Sequence, residues 1–144
     1  MSNLERAIEI AVAAHKGQLR KDGSPYVLHP LRLMMAVDSN DEKIVAVLHD
    51  AVEDTPVTFD QLQDEGFSNE VLNALRLVTH ESDVSYSEYI AAIAKNRLAC
   101  AVKLADLRDN GNIYEIPDLN PNDLKRLEKY HLAYKTLRDA KSAT

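Results

Sequence analysis

A His-Asp doublet, His49-Asp50, lies in an apolar stretch of the chain that has the period of a helix. An imidazole and a carboxylate side by side are typical of metal sites built from nitrogen and oxygen ligands. Two further candidate ligands stand elsewhere: His29 before Pro30, and Asp106 at the end of an apolar run. Two histidines and two aspartates suit a divalent first-row metal better than a thiolate-loving one, so we predict a site for one divalent ion.

The residues around the doublet also fit an ordinary structural interpretation. On a helical wheel, His49 and Asp50 fall with Glu53 and Asp54 on one face, opposite the apolar residues. An amphipathic helix with an acidic, solvated face is the favoured interpretation for this helix alone. If the metal site exists, Glu53 lies one turn from both His49 and Asp50 and could accept a proton from water. Asp54 could orient that water or hold a ligand.

Asp106 has two interpretations of its own. Lys103, Asp106 and Asn110 are spaced i, i+3, i+7, so they share a helix face and could present a cation, a ligand and an amide to one cleft. The alternative is a structural ion pair of Asp106 with Lys103, because a buried carboxylate is costly without a partner. His29, just before Pro30, could equally cap a helix or pack in the core.

Residues 16–23 form the most basic stretch near the proposed site, and they include Arg20 and Lys21. With Arg32, one turn after His29, they could bind a phosphorylated ligand. The alternative is a solvated loop without a ligand.

The apolar period is helical along nearly the whole chain, and no convincing alternating strand appears, which predicts an all-α fold. We expect a first helix over roughly residues 3–16 and a loop with a short hairpin over 17–28. Pro30 at the first helical position places His29 at the N-cap of the second helix. Asp41 is expected to cap the helix that carries the doublet, and residues 97–112 to form a buried helix. Further helices are predicted after Thr58, around residues 71–78 and 86–93, and at the C-terminal end.

Composition narrows the classes of function. The 144 residues suffice for a single domain over 1–144, and no apolar run approaches the ~20 residues that span a bilayer. The net charge of −6 argues against non-specific nucleic-acid binding. The single cysteine, Cys100, reads as a small buried hydrophobe and fits a reducing, cytoplasmic location.

In their order along the chain, these motifs resemble the HD-domain metal-dependent phosphohydrolases. They look most like the hydrolase domain of the RelA/SpoT enzymes and the free-standing small alarmone hydrolases. The stretches that carry the resemblance are residues 14–21 with Gly23, 25–30, 48–55, 78–79, and 102–106 with Asn110.

The resemblance implies a compact HD-type helical bundle that holds one manganese ion. It implies that the ion is held by His29, His49, Asp50 and Asp106. It implies that Glu53 and Asp54 are the acidic catalytic pair, and that Arg20 and Lys21 contact guanine while Asn110 contacts the ribose or phosphate region. The implied reaction is hydrolysis of the 3′-pyrophosphate of guanosine tetra- or pentaphosphate (ppGpp or pppGpp). Lys103, on the face of Asp106 and Asn110, is a further candidate for substrate binding.

One stretch departs from the family pattern. After Asp106 the chain reads Leu107-Arg108-Asp109-Asn110, where the alarmone hydrolases usually have Arg-Leu-His-Asn. The change displaces a basic residue and introduces an acidic one near the expected phosphates. Two alternatives therefore stay open: an HD phosphohydrolase for another nucleotide or phosphoester, and a catalytically silent ligand-binding domain.

Overall fold

Helices make up almost all of the regular structure in the computed structural model, which describes residues 3–143. The eight α-helices found there are α1 Leu4–Ala14, α2 Leu28–Met35, α3 Asn40–Asp54, α4 Phe59–Asp64, α5 Asn69–Val78, α6 Tyr86–Ala94, α7 Arg97–Asn110 and α8 Pro121–Ser142. A short 3-10 helix, Ile113–Glu115, lies between α7 and α8. The all-α prediction is confirmed. Within residues 3–143, no helix is both long and apolar enough to cross a membrane.

Helix α3 lies at the centre and packs against α1, α2, α5 and α7. Every residue from Ile44 to Ala51 is buried, so neighbouring helices cover α3 all round over these two turns. The predicted solvated face is therefore wrong for His49 and Asp50, which are 4% and 8% exposed. It holds only for Glu53 and Asp54, which are exposed at the C-terminal end of the helix.

Helix α2 begins at Leu28, with Val27 at the N-cap position and no side-chain capping bond. The predicted N-cap role of His29 is therefore wrong, because His29 and Pro30 both lie inside the first turn. Proline is tolerated there, since the first N–H groups of a helix have no partner within it. The His29 imidazole is thus available for contacts in the interior, where it is 2% exposed.

The start of α3 also differs from the prediction. Ser39 caps it, and Glu42 completes a capping box by bonding back to the N-cap backbone. Asp41 lies in the first turn instead, where a carboxylate still interacts favourably with the helix dipole. The reason is that Ser39 and Glu42 have the three-residue spacing that satisfies two unpaired N–H groups at once.

The loop between α1 and α2 is tight. Gly17 and Gly23 have positive φ angles of 82° and 88°, which glycine adopts at low cost. Between them, Leu19 and Pro25 form an isolated antiparallel bridge, in agreement with the predicted short hairpin. The loop thereby holds its basic residues close to the N-terminal end of α2.

Helix α7 packs against α2, α3, α5, α6 and α8. Its residues 104–107 are buried, and Asp109 and Asn110 are partly buried in the last turn. Cys100 is buried as predicted, and its thiol donates to the carbonyl oxygen of Leu137 at 3.4 Å. The contacts of α7 with α2 and α3 bring the three helices that carry the predicted metal ligands together.

Candidate metal centre and adjoining cavity

The four predicted metal ligands meet where α2, α3 and α7 pack together. Nitrogen and oxygen atoms of His29, His49 and Asp50 lie within 4.8 Å of one another. Oδ1 of Asp106 lies 3.0 Å from Nε2 of His29 and 3.4 Å from Nε2 of His49. All four side chains are buried. The structure therefore contains a candidate His/Asp metal site.

The His49 imidazole is oriented for a ligand role. Its Nδ1 lies 2.7 Å from the carbonyl oxygen of Ala46, which can only accept, so Nδ1 carries the proton. Nε2 faces Oδ1 of Asp50 at 3.1 Å and Oδ1 of Asp106, yet it is buried without a hydrogen-bond partner. Burial alone would lower the pKa of His49, but these two carboxylates raise it well above its ordinary value. The arrangement therefore favours a positive charge at Nε2, either a proton or a metal ion.

The two carboxylate oxygens of Asp106 have different partners. Oδ2 accepts a hydrogen bond from Nζ of Lys103 at 2.8 Å, while Oδ1 accepts one from Nδ2 of Asn110 at 3.0 Å and faces His29. The structural ion pair and the candidate ligand are thus both present. Burial tends to raise the pKa of Asp106, but Lys103 and the imidazoles of His29 and His49 hold it well below its usual range. Asp106 is an anion with one oxygen directed at the cluster.

The hydroxyl of Tyr26 makes a contact that the sequence patterns do not predict. It donates a 2.5 Å hydrogen bond to Oδ2 of Asp50. Burial tends to raise the pKa of Asp50, but His49 and this hydroxyl lower it below its ordinary value. Tyr26 therefore helps to hold Asp50 ionised and oriented. In the sequence, the one hint of this contact is that Tyr26 lies three residues before the candidate ligand His29.

Asp109 is a second contact that the sequence does not predict. Its Oδ2 lies 2.5 Å from Nδ1 of His29, and Arg32 donates to both of its oxygens at 2.8 and 2.9 Å. Burial tends to raise the pKa of Asp109, but the bonds from Arg32 and His29 lower it below its ordinary value. The acidic residue that departs from the expected pattern is therefore bound to Arg32 and His29, while Arg108 points away and binds the hydroxyl of Tyr134.

The predicted catalytic pair, Glu53 and Asp54, lies at the end of α3, just after the cluster. Both residues reach solvent. Partial burial of the carboxyl groups and the charge of Asp50 raise the pKa of each above its ordinary value. A raised pKa makes an ionised carboxylate a better proton acceptor.

A cavity of about 640 Å³ adjoins the cluster. Of the predicted substrate-binding residues, Arg20, Lys21 and Asn110 line it, together with Tyr26 and Asp109. An arginine nitrogen of Arg20 donates to Oδ1 of Asn110 at 3.4 Å, which joins the basic loop to the last turn of α7. Lys103 is not among the lining residues and donates instead to Asp106.

The cavity also has walls that the sequence does not predict. They include Arg126 and Tyr130 of α8 and three carboxylates from the segment before and within it, namely Glu115, Asp118 and Asp123. A second depression of about 660 Å³ lies between α1 and α4, and none of the described residues that line it bonds to the cluster. Three residues of the first cavity, Tyr26, Asp109 and Asn110, bond directly to Asp50, His29 and Asp106. The cavity beside the cluster is therefore the candidate substrate site.

No family model matches the chain. A guanosine-3′,5′-bis(diphosphate) 3′-pyrophosphohydrolase of Aquifex aeolicus is 32% identical over 119 residues, which cover 74% of this chain and 17% of the relative. A protein of the same name from Spiroplasma citri is 34% identical over 128 residues, 76% of this chain and 17% of the relative. A probable GTP pyrophosphokinase of Mycobacterium leprae is 33% identical over 123 residues, 76% of this chain and 16% of the relative.

The fold is also similar to a solved structure, that of a metazoan ortholog of SpoT that hydrolyses ppGpp. The TM-score is 0.73 at 23% identity, and the match covers 98% of this chain and 86% of the other. The chain is therefore similar to the RelA/SpoT-type enzymes in sequence, and its fold is that of the SpoT ortholog. The resemblance predicted from the sequence is therefore confirmed. The chain spans about a sixth of the length of the curated relatives described above.

The clustered residues fit a divalent metal ion. Two imidazole nitrogens and two carboxylates are a ligand set that first-row metals accept. The buried Nε2 of His49 has no hydrogen-bond partner, as expected of a nitrogen reserved for a metal. The other ring nitrogens of both histidines bond to Ala46 and Asp109, an arrangement common around metal-binding histidines.

Proposed function

We propose that this domain is a metal-dependent phosphohydrolase that removes the 3′-pyrophosphate of ppGpp and pppGpp, as in the stringent response. With ppGpp and water as reactants, the products would be GDP and pyrophosphate. The observation that carries the proposal is a buried His/Asp cluster beside a cavity lined by Arg20 and Lys21. The names of the hydrolase relatives and the activity of the structural neighbour support the same reaction.

We infer that the metal is manganese and that His29, His49, Asp50 and Asp106 hold it. When bound, a divalent cation lowers the pKa of water and offsets charge on a phosphate. The chain itself supplies the orientation of the ligands, through the contacts of Ala46 and Asp109 with the two imidazoles. Lys103 keeps Asp106 ionised, and Tyr26 does the same for Asp50.

The other residues have distinct proposed roles. Glu53 accepts a proton from the attacking water, since its carboxylate is exposed near the cluster and its pKa is raised. Asp54 orients that water. Arg20 and Lys21 bind the guanine base, because an arginine plane stacks on a purine. Asn110 contacts the ribose or phosphate region from the last turn of α7, with Lys103 nearby on the same helix.

An HD phosphohydrolase with another nucleotide substrate is the second candidate. The cavity is lined by more acidic than basic side chains. The five carboxylates are those of Asp22, Asp109, Glu115, Asp118 and Asp123, and the three cations are Arg20, Lys21 and Arg126. Such a lining favours a substrate with fewer negative charges than ppGpp.

We further propose that residues 1–144 act as one domain, and that the single, buried cysteine reflects a cytoplasmic location.

One assay separates these candidates. Manganese-loaded protein is incubated with ppGpp, nucleoside triphosphates and nucleoside monophosphates, and the release of pyrophosphate and phosphate is measured. Release of pyrophosphate from ppGpp alone is the expected result. Turnover of only other nucleotides would favour the second candidate. No turnover of any member of the panel would favour a silent ligand-binding domain.

Arg20→Ala is expected to raise KM by about 10-fold while kcat changes little, because loss of one charged contact to the substrate costs about 1.5 kcal/mol in binding. Steady-state kinetics on the substrate found in the panel measure both constants. Lys16→Ala is the matched control. It removes one positive charge from the same loop, but Lys16 is exposed and does not line the cavity. Unchanged KM in the Arg20 variant would remove the basic loop from the substrate site.

A further inference from the structure

The side chain of Asp109 is surrounded by three basic groups. Its Oδ2 lies 2.5 Å from Nδ1 of His29 and also accepts from Nη2 of Arg32, while its Oδ1 accepts from Nε of Arg32. Nη1 of Arg20 lies 3.7 Å from the same Oδ2. This carboxylate therefore links a buried residue of the metal cluster to the basic loop that lines the cavity.

The contact with His29 selects one form of its imidazole. An ionised carboxylate only accepts hydrogen bonds, so Nδ1 of His29 must carry a proton. The ring nitrogen left to bind a metal is then Nε2, which faces Asp50 at 3.6 Å and Asp106 at 3.0 Å. Ala46 has the same effect on His49 through its carbonyl oxygen. Both histidines thus present Nε2 to the same point.

The position of Asp109 is otherwise unfavourable for an acid. It lies in the last turn of α7, where the helix dipole disfavours negative charge, and it lines the cavity proposed to hold the substrate's phosphates. The two bonds from Arg32 offset this cost and fix the carboxylate plane, because a guanidinium binds a carboxylate in a fixed bidentate geometry. Arg32 is itself partly exposed, with 41% of its side chain accessible, and it donates two hydrogen bonds to Asp109.

We propose that Asp109, held by Arg32, is a positioning residue that orients His29 and sets its proton on Nδ1 for metal binding. The inference rests on the proposed metal site but not on the identity of the substrate. This role also explains why an acidic residue is compatible with a site for phosphates. The negative charge of Asp109 is offset by its contacts with His29, Arg32 and Arg20.

The test measures manganese binding by the purified protein in the absence of any nucleotide. Titration with MnCl2, with free Mn²⁺ followed by its electron paramagnetic resonance signal, gives the dissociation constant. Asp109→Ala and Asp109→Leu both remove the acceptor, and leucine keeps the side-chain volume. Each is expected to weaken Mn²⁺ affinity about 10- to 100-fold, the usual effect of losing a partner of a metal-binding histidine.

Asp139→Asn is the matched control, since it removes one carboxylate paired with an arginine on the surface of α8. Its Mn²⁺ affinity is expected to equal that of the parent. Circular dichroism and the Tm of the metal-free proteins report on folding. Parental Mn²⁺ affinity in a folded Asp109 variant would overturn the inference, and so would loss of folding in both variants, which would assign Asp109 a purely structural role.

The outcome is distinguishable from failure of the proposed function. If the parent binds Mn²⁺ but does not hydrolyse ppGpp, the substrate assignment fails and the comparison of affinities still decides the role of Asp109. A parent that binds no Mn²⁺ would overturn the metal site and the role of Asp109 together.

Discussion

Asp106→Ala is expected to remove nearly all bound metal from the protein. Asp106 supplies one of the four proposed ligands, and its Oδ1 faces both imidazoles at 3.0 and 3.4 Å. The same change leaves Lys103, whose side chain is only 14% exposed, without its carboxylate partner, so the free energy of unfolding should fall by on the order of 3 kcal/mol. Elemental analysis after dialysis measures the metal, and chemical denaturation measures the stability.

A double variant separates the two effects. Lys103→Met with Asp106→Leu replaces the buried ion pair by apolar side chains of similar size, which is often neutral or stabilising. Its stability is expected to recover toward that of the parent, while its metal content stays as low as in Asp106→Ala. Full metal occupancy in either variant would contradict the assignment of Asp106 as a ligand.

Glu53→Gln is expected to lower kcat by about 10²- to 10⁴-fold, the range typical of general acid–base catalysis. Glutamine preserves the size and hydrogen bonding of the side chain but cannot accept the proton. Metal content and folding should match the parent, because Glu53 is exposed at the end of α3 and is not one of the clustered ligands. Single-turnover kinetics with saturating Mn²⁺ measure the chemical step.

Glu70→Gln provides the control for the charge change, since Glu70 is an exposed residue in the first turn of α5. It is expected to hydrolyse substrate at the parental rate. If Glu53→Gln also hydrolyses substrate at the parental rate, Glu53 is only a solvated surface residue, as the amphipathic interpretation of α3 predicts.

Helix positions were largely predictable, because caps and apolar periods are local properties. Thr58 and the glycines of the first loop behave as their types predict. The two errors have different causes: α2 begins at Leu28 with no side-chain cap, so Pro30 does not mark its first residue, whereas at the start of α3 both Ser39 and Asp41 could serve as the cap. A cap is chosen by which side chain reaches the unpaired N–H groups, and several polar residues at neighbouring positions compete for that place.

The sequence by itself determined the all-α class, the types of the candidate ligands and the face shared by Asp106 and Asn110. It could not determine whether His49 and Asp50 face solvent, because the helical period around them fits both interpretations. Burial of that face is decided by helices that cover it, and those are distant in the chain.

Only the tertiary structure decided which polar groups pair. Tyr26 meets Asp50 across 24 positions of the sequence, and His29 meets Asp109 across 80. A helical period tells which side chains share one face of one helix, but not which two faces pack together. The packing of α2 against α7 therefore decided that an acid unusual for the family would bind a histidine of the metal cluster rather than face a phosphate.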